Sequence, residues 1–97
     1  MIIVYLRKLN DFGERHANAR NYISTWTLIV KKAVWENKQD VLRDFPRAKM
    51  IQNNRARFEI AHNTFRLVAE IDYEKKLVVI RFIGTHSEYD NIDPATI

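Results

Sequence analysis

Two arginines, a histidine and a tyrosine in the last third of the chain, Arg66, Arg81, His86 and Tyr89, are the side chains best suited to chemistry on an anion. A guanidinium stays charged at any working pH and can hold two phosphate oxygens at once. An imidazole titrates near neutrality, so His86 can take or give a proton, or offer a stacking surface to a base. Tyr89 can donate its phenolic proton or stack on a nucleotide. Together these are the parts that handling a phosphodiester requires. The acids beside them, Glu88 and Asp90, would repel a phosphate, so they are read as orienting His86 or as structural. Arg55, Arg57 and Lys49 form a basic edge suited to tracking a nucleic-acid backbone, although an ordinary solvated strand edge has the same composition.

Other chemistries find no support in the pattern. His16, His62 and His86 are far apart and none has an HxH or HxxxH partner, so no metal site is expected. Ser24 and Ser87 lack a nucleophile-elbow pattern. There is no cysteine to make a disulfide or a thiolate ligand.

The elements that must position these residues follow from periodicity. From Phe65 to Tyr73 the chain alternates, with Phe65, Leu67, Ala69, Ile71 and Tyr73 on one face and Arg66, Val68, Glu70 and Asp72 on the other. After Glu74, Lys75 and Lys76 a second run, Leu77 to Thr85, carries Val78, Ile80 and Phe82 against Leu77, Val79, Arg81 and Ile83. A hairpin of these two strands, its most apolar rows under helices, sets Arg66 and Arg81 together on the opposite face. Unless an anion answers them, they pair with Glu59, Glu70 or Asp72. Gly84 is expected to end the second strand and to leave His86 and Tyr89 at its exit.

Upstream, Ile2 to Val4 reads as a strand and Arg7 onward as a helix, with Leu6, Leu9, Phe12, Gly13 and His16 on one side. A second helix spans roughly Asn18 to Trp35, its apolar stripe Ile23, Trp26, Val30 and Ala33, broadened by Ile29 and Val34. Trp26 and Trp35 are packing residues in this reading, His16 a helix-end residue and His62 a turn residue. Asn37 suits a helix stop, and Asp40 caps a short turn ending at Pro46. Short strands are expected at Lys49 to Gln52 and Arg55 to His62, with turns at Asn53-Asn54 and Asn63-Thr64. The expected fold is α+β: two N-terminal helices packed on one face of a small, largely antiparallel sheet, in the order βααβββ with one extra short strand near Met50.

The segments FEI (58–60), NTFRLV (63–68) and IRFIGTHSEYD (80–90) resemble the HigB family of toxins, and so do Leu9, Phe12, His16, Trp26, Val30, the AVW of residues 33–35 and DVLRDFP (40–46). The likeness covers nearly the whole chain. It departs at Ala17, where relatives often place proline after the histidine. It implies a RelE-like fold and ribosome-dependent, metal-independent endonucleolytic cleavage of messenger RNA, without cofactor. It also implies a helix-turn-helix, HigA-like antitoxin as cognate partner. For that activity the residue chemistry above makes Arg66, Arg81, His86 and Tyr89 the expected catalytic set, and Arg55 and Arg57, with Lys49 and Arg47, the expected RNA-binding edge.

Composition agrees without deciding. Ninety-seven residues suffice for a single domain with one core, and 46% apolar with 29% charged residues is ordinary for a folded protein. The net charge of +4 favours an anionic partner. No apolar run reaches the roughly 18 residues of a membrane span and the start does not read as a signal peptide, so no membrane partner and a cytoplasmic location are expected.

Overall fold

Alternation through Phe65 to Asp72 builds the strand on which the rest of the sheet is assembled. The computed structural model describes all residues from Met1 to Ile97. In chain order its elements are β1 (Ile2–Val4), α1 (Leu6–Arg15), a 3₁₀ turn (Ala17–Ala19), α2 (Arg20–Lys32), α3 (Lys38–Asp44), β2 (Lys49–Ile51), β3 (Arg55–Ile60), β4 (Phe65–Asp72), β5 (Leu77–Thr85) and α4 (His86–Tyr89). The sheet order is β1-β5-β4-β3-β2, antiparallel except where β1 lies along β5. This is the expected α+β fold of RelE-like type, with β2 as the extra strand; α3 and α4 are additional short helices.

One face of the sheet is apolar because every second residue of its strands is. Ala56, Phe58 and Ile60 of β3, Leu67, Ala69 and Ile71 of β4, and Val78 and Ile80 of β5 are buried in one cluster with Leu9 and Phe12 of α1 and Ile23, Trp26 and Val30 of α2. Each large side chain so buried stabilises the fold by about 1.5–3 kcal/mol.

The second helix is shorter than its stripe suggests: it stops at Lys32, and Ala33 is extended (ψ 151°). In a continued helix Trp35 would point about 140° away from Val30. Unwinding turns its ring inward instead, where it is fully buried and its Nε1 donates to Asp44 at 2.8 Å. Val34 is the residue left outside, 68% exposed rather than part of the stripe. Asn37 starts a helix and does not stop one, since its side chain accepts from the Asp40 backbone N–H at 3.1 Å and so caps α3. Both Asn53 and Asn54 take the left-handed conformation that the β2 to β3 turn needs (φ 62° each). The turn after β3 begins earlier than expected, with Ala61, His62 and Asn63 all left-handed (φ 54°, 56° and 69°).

Parity along the hairpin changes once. Val68 pairs with Phe82 but Ala69 pairs with Ile80, so Arg81 is the extra residue of a β-bulge. Up to Ile80 the even-numbered residues of β5 face the helices; beyond the bulge the odd-numbered ones do. Ile83 therefore packs against the core. Phe82 and Gly84 face outward with Arg66 and Val68, so the expected row of Val78, Ile80 and Phe82 is broken. Gly84 does not end the strand, which continues to Thr85.

The outer face is not bare. Val68 is fully buried there. The last residues come back to the β2 to β3 turn, where the Asn53 side chain donates to the Ala95 carbonyl at 2.9 Å and the Arg55 guanidinium donates to the Ile97 carbonyl. No helix is long and apolar enough to cross a membrane.

Candidate active site

Thr85, His86, Ser87 and Glu88 form a local unit before they form a site. The Thr85 hydroxyl accepts from the Glu88 backbone N–H at 3.1 Å, and the Glu88 carboxylate accepts from the Thr85 backbone N–H at 2.8 Å. This capping box opens α4 directly at the end of β5. The bonds from Thr85 hold the Glu88 carboxyl below its ordinary 4.5, helped by the nearby charges of His16 and Arg15. Glu88 is thus structural. Asp90 is one turn beyond His86, and its Oδ2 lies 3.5 Å from His86 Nδ1, with both side chains about half exposed. The signal for the box, a Thr followed three residues later by Glu, was present in the sequence.

The same short helix carries Tyr89 back over the sheet. Its ring lies under the guanidinium of Arg66, with Cζ 4.9 Å from the ring centroid. Arg66 Nε donates to Asn63 Oδ1 at 2.9 Å, which fixes the plane of the fork. Its two terminal nitrogens make no hydrogen bond within the protein and remain available to an anion. Directly across the hairpin from Arg66 is Gly84. A Cβ at Gly84 would stand 2.6 Å from Phe82 Cζ and 3.0 Å from Glu88 Oε1. The Phe82 ring fills the space that a side chain there would need, and its centroid is 6.3 Å from that of Tyr89. Asn63, Phe82 and Gly84 thus join Arg66 and Tyr89 in one cluster. Phe82 escaped the sequence reading because nothing in its own strand announces the bulge.

Arg81 lies apart from this pair. Its Nε and Nη2 both donate to Glu70 Oε1, at 3.1 and 2.5 Å, and the other Glu70 oxygen is 3.3 Å from Arg55 Nη1. Arg66 and Arg81 therefore do not share one open anion grip, because a carboxylate already answers Arg81. The basic edge is likewise engaged. The Arg55 and Arg57 side chains are 12% and 14% exposed; Arg57 reaches Glu59 at 3.5 Å and the Arg47 carbonyl at 3.4 Å. Lys49, on the edge strand β2, stays exposed. Of the expected catalytic set, the fold brings Arg66 and Tyr89 into contact, places His86 on the same α4 turn with Asp90, and diverts Arg81 to Glu70.

The remaining histidines are packing and turn residues. His16 stacks on Phe12 with centroids 4.2 Å apart, and His62 Nε2 is 3.2 Å from the Tyr22 hydroxyl. No three His, Asp or Glu side chains converge to hold a metal ion.

A family model described as HigB toxin, the RelE-like toxic component of a toxin-antitoxin system, matches residues 19–92. That span includes α4 and all of the cluster around Arg66, and leaves out β1 and α1. No curated protein matches the chain.

Proposed function

From the premise that this chain belongs to the HigB family, the RelE-like toxins of toxin-antitoxin systems, we propose that it is an endoribonuclease that cuts messenger RNA on the ribosome. The observation that carries this reading is the guanidinium of Arg66, fixed by Asn63 and Tyr89 with its terminal nitrogens free. In the proposed reaction the ribose 2′-oxygen attacks the adjacent phosphorus and the bond from phosphorus to the 5′-oxygen breaks. A 2′,3′-cyclic phosphate and a 5′-hydroxyl result. One group removes the 2′ proton and another protonates the leaving 5′-oxygen; His86, oriented by Asp90, and Tyr89 are the groups able to do so. Arg66 stabilises the charge that builds on the phosphorane. Arg81 serves the phosphate only by exchanging Glu70 for it, so its contribution is smaller than that of Arg66. Lys49 offers a further contact to RNA. No step requires a metal or a cofactor. A helix-turn-helix antitoxin of the HigA type is the proposed cognate partner, and the cytoplasm, where ribosomes are, the proposed location.

The test is inducible expression with mapping of transcript 5′ ends, joined to cleavage on programmed ribosomes. The parent arrests growth and creates new ends inside messages; Arg66→Ala abolishes both while unfolding in urea at the parent's midpoint. Growth arrest without new ends would instead make the protein a non-catalytic ribosome-binding or RNA-binding module.

A further inference from the structure

β1 pairs only with Leu77 to Val79, so beyond Val79 the edge of β5 on that side has no strand beside it. The last two turns of α1 lie there instead, and between helix and strand runs an open groove of about 360 Å³ lined by Lys8, Asp11, Arg15, Arg81, Phe82 and Ile83. Lys8, Asp11 and Arg15 are spaced by three and four residues and share one stripe of the helix, with the Cα atoms of the two basic residues about 10 Å apart along its axis. Asp11 faces the exposed Arg7 at 3.8 Å, and against this one carboxylate the groove sets Lys8, Arg15 and Arg81. What the groove presents is positive.

Its two ends differ. At one end Phe82 belongs both to the groove and to the cluster in which Tyr89 lies under Arg66. His16, just past the end of α1, has its ring 5.2 Å from that of Phe65, which pairs with Thr85, so the end of α1 lies close to that same cluster. At the other end the Lys8 ammonium lies 5.5 Å from the centroid of the exposed Tyr5 ring. The chain's other cationic strip, Arg55 and Arg57, is mostly buried and bound to Glu70, Glu59 and backbone carbonyls.

We propose that this groove carries the single-stranded RNA backbone next to the scissile phosphate, with Lys8 and Arg15 on two phosphates of the strand and the Phe82 ring under a base. The assignment rests on the RNA-cleaving function proposed above. It adds a binding path of which one wall is α1, which lies outside the matched residues. A positively charged groove beside an aromatic ring is the arrangement that holds single strands without reading their sequence.

The probe is a fluorescent oligouridylate titrated against the full chain at several salt concentrations, with cleavage on programmed ribosomes measured for the parent in parallel. For Lys8→Gln with Arg15→Gln, loss of two phosphate contacts flattens the dependence of log K on log salt by about 1.4 and weakens binding at 0.1 M salt by more than tenfold. The charge-matched control, Lys31→Gln with Lys32→Gln on α2, keeps the parent's slope. A parent that cleaves messages while the Lys8 and Arg15 variant keeps the parent's slope and affinity would overturn the groove alone. A parent that neither cleaves nor binds RNA would overturn the groove together with the function it rests on.

Discussion

Gly84 is where one missing methyl decides the shape of the site. It sits in a strand with no positive φ to explain it, and the reason for glycine is steric: the ring of Phe82 lies within 2.6 Å of the position a Cβ would take. Because Phe82 is next to Tyr89, and Tyr89 supports Arg66, a displaced ring moves the guanidinium. Gly84→Ala is expected to destabilise the protein by about 1–3 kcal/mol, the usual range for overpacking. Much of that loss is recovered in the Phe82→Leu background, where the clashing ring atoms are gone. Urea unfolding of the two single variants and the double variant measures the coupling; simple additivity would mean that the ring does not occupy this space in solution.

The element on which the proposed chemistry depends most is α4, a helix of a single turn. So short a helix has no intrinsic stability, and its capping box and its contacts with β4 and β5 must hold it. Glu88 titrates below its ordinary 4.5 because the folded box donates to its charged form. The sign follows from linkage: a lowered carboxylate pKa stabilises the folded box above pH 4.5, and that contribution is lost as pH falls through the lower, folded value. An NMR titration of the Glu88 carboxyl carbon is expected to show a midpoint below 4.5 in the parent, moving up toward 4.5 in Thr85→Ala. A parent midpoint at or above 4.5 would mean that the box is not formed.

At the scale of the whole molecule, the core and the proposed chemistry lie on opposite faces of the sheet. The helix-covered face holds Trp35, Phe58, Trp26 and Phe45 in mutual aromatic contact, with ring centroids between 5.0 and 6.5 Å. The outer face holds Arg66, Glu70 and Phe82. Trp35→Ala leaves a cavity and deprives Asp44 Oδ2 of its indole donor, and is expected to cost about 3–5 kcal/mol, a large part of the stability of a domain this size. Such a variant loses toxicity by unfolding, visible as a lowered melting temperature, whereas Arg66→Ala loses it with the melting temperature of the parent. A Trp35→Ala protein as stable as the parent would contradict the buried placement of the ring.

What the sequence determined was local. Period-two alternation placed Arg66 on the face away from the helices, helical spacing chose Leu9, Phe12, Ile23, Trp26 and Val30 for the core, and paired asparagines marked the tight turn at Asn53. Each of these depends on a few consecutive residues and their own backbone preferences. The family likeness drew on the same local strings. The tertiary structure decided whatever depends on counting one strand against another. The bulge at Arg81 exists only in the register of β4 on β5, and it turned Phe82 outward and Ile83 inward against the simple alternation. Likewise, Arg81 and Arg55 meet across Glu70 from strands distant in sequence, so two cations share one carboxylate in the fold. The groove along α1 arises because β1 is only three residues long and leaves the far half of β5 uncovered, a property of the assembled sheet and of no single segment.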